Sequence, residues 1–138
     1  LAEIETGPAW ADYGLDQIVV EKWVRRAWGD KVFDSIEERV LRLSEEALEL
    51  AQAETHDKTL MRAKLHKLVD RVFDRKPGDP PQELGGVGVC LLAYCAAKEV
   101  RLDNAVRTEI DRVLGFDREH FIKRQLEKAE AGLGESPQ

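Results

Sequence analysis

At 138 residues the chain is long enough for one domain with a real core and hardly long enough for two. Its 43% hydrophobic and 35% charged content excludes a disordered chain, and a net charge of −6 argues against a nucleic-acid partner held by its phosphates. The uncharged run from Leu84 to Ala97 is too short to span a bilayer, and no basic segment leads into an apolar one at the start.

A cytoplasmic location without a membrane partner is therefore expected. Cys90 and Cys95 stand on different faces of one predicted helix and do not bridge easily, which fits reduced thiols.

The periodicity is helical throughout, with no run of alternating strand residues. Residues 1–13 read as irregular. A first helix is expected over 15–28, with Leu15, Ile18, Val19, Trp23, Val24 and Ala27 on its apolar face and Gly29 as its stop. The second starts after Asp34 or Ser35 as N-cap and runs to Glu54. Its stripe is Ile36, Val40, Leu43, Ala47, Leu50 and Ala51.

The third helix starts after Asp57. Leu60, Met61, Leu65, Leu68, Val69, Val72 and Phe73 form its expected buried stripe, and its other side is rich in Lys and Arg. Asp79 and Pro80 open the fourth, over 80–99, which is apolar nearly all round and is expected at the centre. Asp103 is the expected cap of a fifth helix reaching Val113, and Asp117 the cap of a last one. The tail, 132–138, is expected to fray. The expected fold is all-α, a single domain over 1–138 with a four-helix bundle core and additional helices.

Two predicted helices carry the chemistry. At about 100° per residue, Glu46 sits at the edge of the second helix's apolar stripe and Glu49 one turn on, about 60° round, while Glu45 points more to solvent. By itself this Glu-x-x-Glu pair also reads as a solvated acidic edge. Glu83 opens the least polar stretch of the chain, where a carboxylate is costly without a cation or a donor. It also suits a wet first helical turn, favoured by the helix dipole. Together, Glu46, Glu49 and Glu83 point to an all-oxygen site for Mg²⁺, or Mn²⁺.

Glu45-Glu46-Ala47-Leu48-Glu49-Leu50, with Glu83-Leu84-Gly85-Gly86-Val87 further on, resembles the MazG-like all-α nucleoside triphosphate pyrophosphohydrolases over about 33–113. That family's pattern is Glu-x-x-Glu on one helix and Glu-x-x-Asp on a later one. The resemblance implies Mg²⁺-dependent cleavage of a nucleoside triphosphate between its α and β phosphates, giving a monophosphate and pyrophosphate. It makes Glu46, Glu49 and Glu83 metal ligands, with Glu46 and Glu49 also in the catalytic set. The fourth ligand position holds Gly86, a departure from the pattern that leaves Glu45 as a substitute ligand and implies weak or altered activity.

Lys123, Arg124 and Lys128 are the candidate phosphate-binding cations, followed by Arg107 and Arg112. The aromatic residues Trp23, Trp28, Tyr94 and Phe121 are expected in the core rather than stacked on a base. A homodimer or higher homo-oligomer is expected. The competing reading is a non-catalytic helical module for self-association or partner binding, in which the metal site is incomplete.

Overall fold

The computed structural model describes residues 8–137, with side chains from residue 16 onward. The described residues form seven α-helices and no strand. These are α1 (Pro8–Trp28), α2 (Asp30–Asp34), α3 (Ile36–Thr55), α4 (Lys58–Phe73), α5 (Pro80–Lys98), α6 (Leu102–Leu114) and α7 (Arg118–Glu130). Among the described residues no helix is long and apolar enough to cross a membrane.

Local chemistry accounts for most boundaries. Gly29 takes φ 94°, a left-handed value that costs glycine little, and this ends α1 and admits the short α2. The Ser35 hydroxyl accepts the Glu38 amide at 3.2 Å and caps α3. Asp57 accepts the Leu60 amide at 2.9 Å, and Asp117 the His120 amide at 3.0 Å, capping α4 and α7. Pro80 occupies the first turn of α5, where its missing N–H is no loss.

Three expectations are corrected and one short helix is added. The first helix begins at Pro8, so 8–13 are helical, and residues 1–7 lie outside the described set. The segment between Gly29 and Ser35 is helical as α2. Asp103 lies inside α6, where it binds its own neighbours Arg101 and Asn104. The tail is tied down, as shown below.

The chain divides into two units. The first runs up to Glu46 and resumes at Glu109. Its centre is an edge-to-face aromatic cluster, with Trp23–Trp28, Trp28–Phe121 and Trp23–Phe121 centroids 5.0, 5.1 and 5.3 Å apart. Val24, Ala27, Val32 and Phe121 are buried here. The Trp28 indole donates to the Phe121 carbonyl at 3.1 Å, and Arg118 Nε donates to the Arg26 carbonyl, also at 3.1 Å. These bonds hold α7 along α1. Arg25 holds α2, donating to Asp30 at 2.9 Å and to Asp34 at 3.0 Å while its guanidinium lies 4.1 Å above the Phe33 ring.

The second unit is Ala47–Thr108. Within it no two helices pack along one another. Tyr94 donates to Glu54 Oε1 at 2.8 Å, and Lys98 pairs with the same oxygen at 3.2 Å. Cys95 is its one buried apolar residue. The expected buried stripe of α4 is largely exposed, with Leu68 at 50% and Phe73 at 82%, and so is α5, with Leu84 at 68% and Val89 at 67%. The stripe of α3 is open as well: Ile36, Val40, Leu43 and Leu50 are exposed. Periodicity identified which faces want cover, but the folded chain does not supply it.

Candidate functional site

Glu46 and Glu49 lie on the continuous helix α3, at the place where the first unit ends and the second begins, and both are exposed. Glu83 is in the first turn of α5 and also exposed. Its carboxylate turns back over the turn before the helix: a Cβ built on Gly78 would stand 2.0 Å from Glu83 Oε1. Neither Glu49 nor Glu83 has a side-chain hydrogen bond or ion pair among the described residues. A Cβ at Gly86 would meet nothing within 4 Å.

Among the described residues, no group of three His, Cys, Asp or Glu side chains is placed to hold a metal ion.

Two of the other candidates turn out to partner each other. Glu45 accepts from Arg42 and pairs with Lys128 Nζ at 3.0 Å. Two cations therefore hold the carboxylate expected as a substitute ligand, and one of them is a cation expected to bind phosphate. Lys123 and Arg124 are exposed, and Lys123 lines an open groove along one face of α7 with Arg118, Ile122, Leu126 and Glu127. Arg112 is bonded to Glu109 at 2.9 and 2.5 Å, which raises its pKa above the ordinary value, and the charge of Glu46 adds to the shift.

Tyr94 was expected in the core. It is half-exposed, and its hydroxyl together with Lys98 holds the Glu54 carboxyl below the usual range. Conversely, Glu54 pushes the Tyr94 phenol up.

The most constrained polar site is one that periodicity did not single out. Glu38 is 1% exposed. It accepts Gln125 Nε2 at 3.1 Å and the Glu135 amide at 2.8 Å. Arg42 Nε stands 3.1 Å from Glu38 Oε1 as an ion pair too bent to be a hydrogen bond. Gln125, 3% exposed, also donates to the Glu135 carbonyl at 2.8 Å. Arg42 donates to the Leu133 carbonyl as well.

The tail is thus clamped onto α3 and α7 instead of fraying. Gly134 makes the close approach possible, since a Cβ there would meet Gln125 Nε2 at 2.8 Å and Glu38 Oε2 at 3.0 Å. A burial this complete needs every lone pair engaged, which is why so many donors converge. The one sequence signal was Ser35-Ile36-Glu37-Glu38, a capping-box spacing. The Glu38 amide uses the cap as that motif predicts, while its side chain turns inward to the tail.

No family model, curated protein or solved structure matches this chain.

Proposed function

We propose that the chain is a nucleotide pyrophosphohydrolase, cleaving a nucleoside triphosphate between its α and β phosphates to a monophosphate and pyrophosphate. The observation carrying this reading is the placement of two exposed carboxylates, Glu46 and Glu49, one turn apart on α3, with a third exposed carboxylate, Glu83, opening the apolar helix α5. The resemblance of these segments to MazG-like pyrophosphohydrolases supports it. In this reading the fold is a four-helix bundle core with additional helices, and Mg²⁺, with Mn²⁺ as the alternative, is the cofactor those carboxylates would serve.

The reaction needs water to attack the α phosphorus and a carboxylate to accept its proton, a role open to Glu46 or Glu49. It also needs cations for the charge on departing pyrophosphate. Lys123 and Arg124 have no ion pair among the described residues and suit that role best, whereas Lys128 is engaged by Glu45. Gly86 in the position of a fourth ligand makes the expected rate low.

A nucleotide panel with Mg²⁺ and Mn²⁺ tests this. Monophosphate plus pyrophosphate is expected, lost in Glu49→Gln. Orthophosphate as the direct product would contradict cleavage between α and β. Gly86→Asp has room for its side chain and is expected to raise turnover.

The second reading is a non-catalytic helical module, favoured by the absence of a metal-competent cluster among the described residues. No turnover across the panel, with no metal-dependent rise in melting temperature, would select it.

A further inference from the structure

We infer that the tail is a releasable strap, and that Glu38, Arg42 and Gln125 form a seat for a glycine-centred peptide segment, which the chain fills with its own residues 133–135. The inference is independent of the nucleotide chemistry.

Its first support is that the seat touches main chain. Glu38 accepts the Glu135 amide at 2.8 Å, and Gln125 donates to the Glu135 carbonyl, also at 2.8 Å. Arg42 donates to the Leu133 carbonyl. Gln125 also donates to Glu38 at 3.1 Å, so an acceptor and a donor stand side by side for the two backbone groups of one residue. Such a fork reads a residue's main chain and ignores its side chain. The position it restricts is Gly134, where a Cβ would stand 2.8 Å from Gln125 Nε2 and 3.0 and 3.5 Å from the two Glu38 oxygens. Both side chains are buried and bonded to the tail, so neither can yield without losing those bonds.

Its second support is the way the tail returns. Gly132 has φ 74°, and its amide and that of Leu133 donate to the Ala129 and Lys128 carbonyls at 3.1 and 2.7 Å. This glycine-terminated helix end reverses the chain by itself. A released strap therefore stays near its seat at high effective concentration.

Its third support is how little else the strap adds. Leu133 is 55% exposed and anchors nothing apolar. The Glu135 carboxylate lies 3.8 Å from Lys31 with both side chains well exposed, a weak ion pair. Both Glu38 oxygens face Gly134, so release opens the carboxylate to water instead of stranding it. The ring contacts and bonds that hold α7 on α1 involve no tail residue. Release thus costs polar bonds to the tail and leaves the aromatic centre intact.

Two measurements on the full chain test this. In wild type, the Glu135 amide is expected to exchange its hydrogen at least about 10-fold faster than the Val24 amide, yet at least about 10-fold slower than an unprotected one. Exchange in step with Val24 would overturn the inference, because the tail would then leave only when the whole unit unfolds. Exchange at the unprotected rate would overturn it too, because the seat would stand empty.

The second measurement vacates the seat. Gly134→Val is expected to expel the tail while the melting transition stays cooperative, moving the NMR signals of the Gln125 side-chain amide. A synthetic peptide spanning Ala131–Pro137 is expected to return those signals at millimolar concentration. The same peptide carrying Gly134→Val is expected to need at least about 10-fold more. A variant that does not fold would overturn the inference, since the tail would be integral to the first unit. So would unmoved Gln125 signals, signals that neither peptide returns, or two peptides that act alike.

Discussion

The two units solve the burial problem in opposite ways. In the first, α1 and α7 meet around Trp23, Trp28 and Phe121, and a buried carboxylate ties the tail to α3 and α7. Its polar groups are largely satisfied within the chain, by bonds that reach far along it. In the second, the chain invests its most apolar helix and leaves it exposed apart from Cys95. Side-chain bonds there are few and peripheral, such as Tyr94 and Lys98 on Glu54. Hydrophobic content therefore does not identify the core of a chain. What identifies it is whether opposing faces from the same chain can reach each other.

The sharpest way to break this contrast is to remove a ring from the first unit. Phe121→Ala takes away the residue that both tryptophans contact, and about 3–5 kcal/mol of stability is expected to go with it. Thermal melting followed by tryptophan fluorescence would read this, since two of the three tryptophans, Trp23 and Trp28, pack against Phe121. A loss below 1 kcal/mol would mean that the cluster is not the centre of the first unit.

Next comes Glu38→Gln, which preserves shape but removes the charge that Arg42 faces. About 2–3 kcal/mol is expected, because Arg42 keeps Glu45 while the Gln125 and Glu135 donors lose their charged acceptor. Hydrogen exchange should show the Glu135 amide losing protection while amides in α4 stay as they were.

Smaller again is Asp57→Ala, which deletes the cap of α4 at a cost of about 1 kcal/mol. Here the comparison sharpens: the loss should fall on the second unit and leave the tryptophan signal untouched.

The smallest effect is electrostatic. Glu54 titrates below its ordinary value, first because Tyr94 bonds it and then because Lys98 does. Its contribution is thus fully present above the ordinary carboxylate pKa and is lost as pH falls through the depressed folded value. Tyr94→Phe should move the Glu54 carboxyl back toward the usual range in an NMR titration. An unmoved titration would mean that the bond does not persist in solution.

Local chemistry was the legible part. Ser35, Asp57, Pro80 and Asp117 mark helix starts because capping needs only neighbours a turn away. Asp103 misled because Arg101, two residues before it, competes for the same oxygens. The role of Glu38 was illegible because its partners lie 87 and 97 residues off, and no local pattern encodes them. The apolar faces of α4 and α5 were legible as faces, but a stripe that needs cover reads the same whether that cover comes from its own chain or another. For the acidic set, helical spacing placed Glu46 and Glu49 side by side. The same spacing brings Arg42 beside Glu45 at i, i+3, but nothing local reveals that Lys128 engages Glu45 as well.

The clamp on the tail also has a consequence for biosynthesis. Glu38 waits for a partner that is translated 97 residues later, a lag of about 5–20 s at ordinary elongation rates. Throughout that interval the first turn of α3 exists on the ribosome without the backbone that seals it, while all of the second unit is made in between. The first unit can close only after the ribosome has delivered Glu135. A stall or truncation just upstream of Gly134 would release a chain whose buried carboxylate never acquires the Glu135 amide.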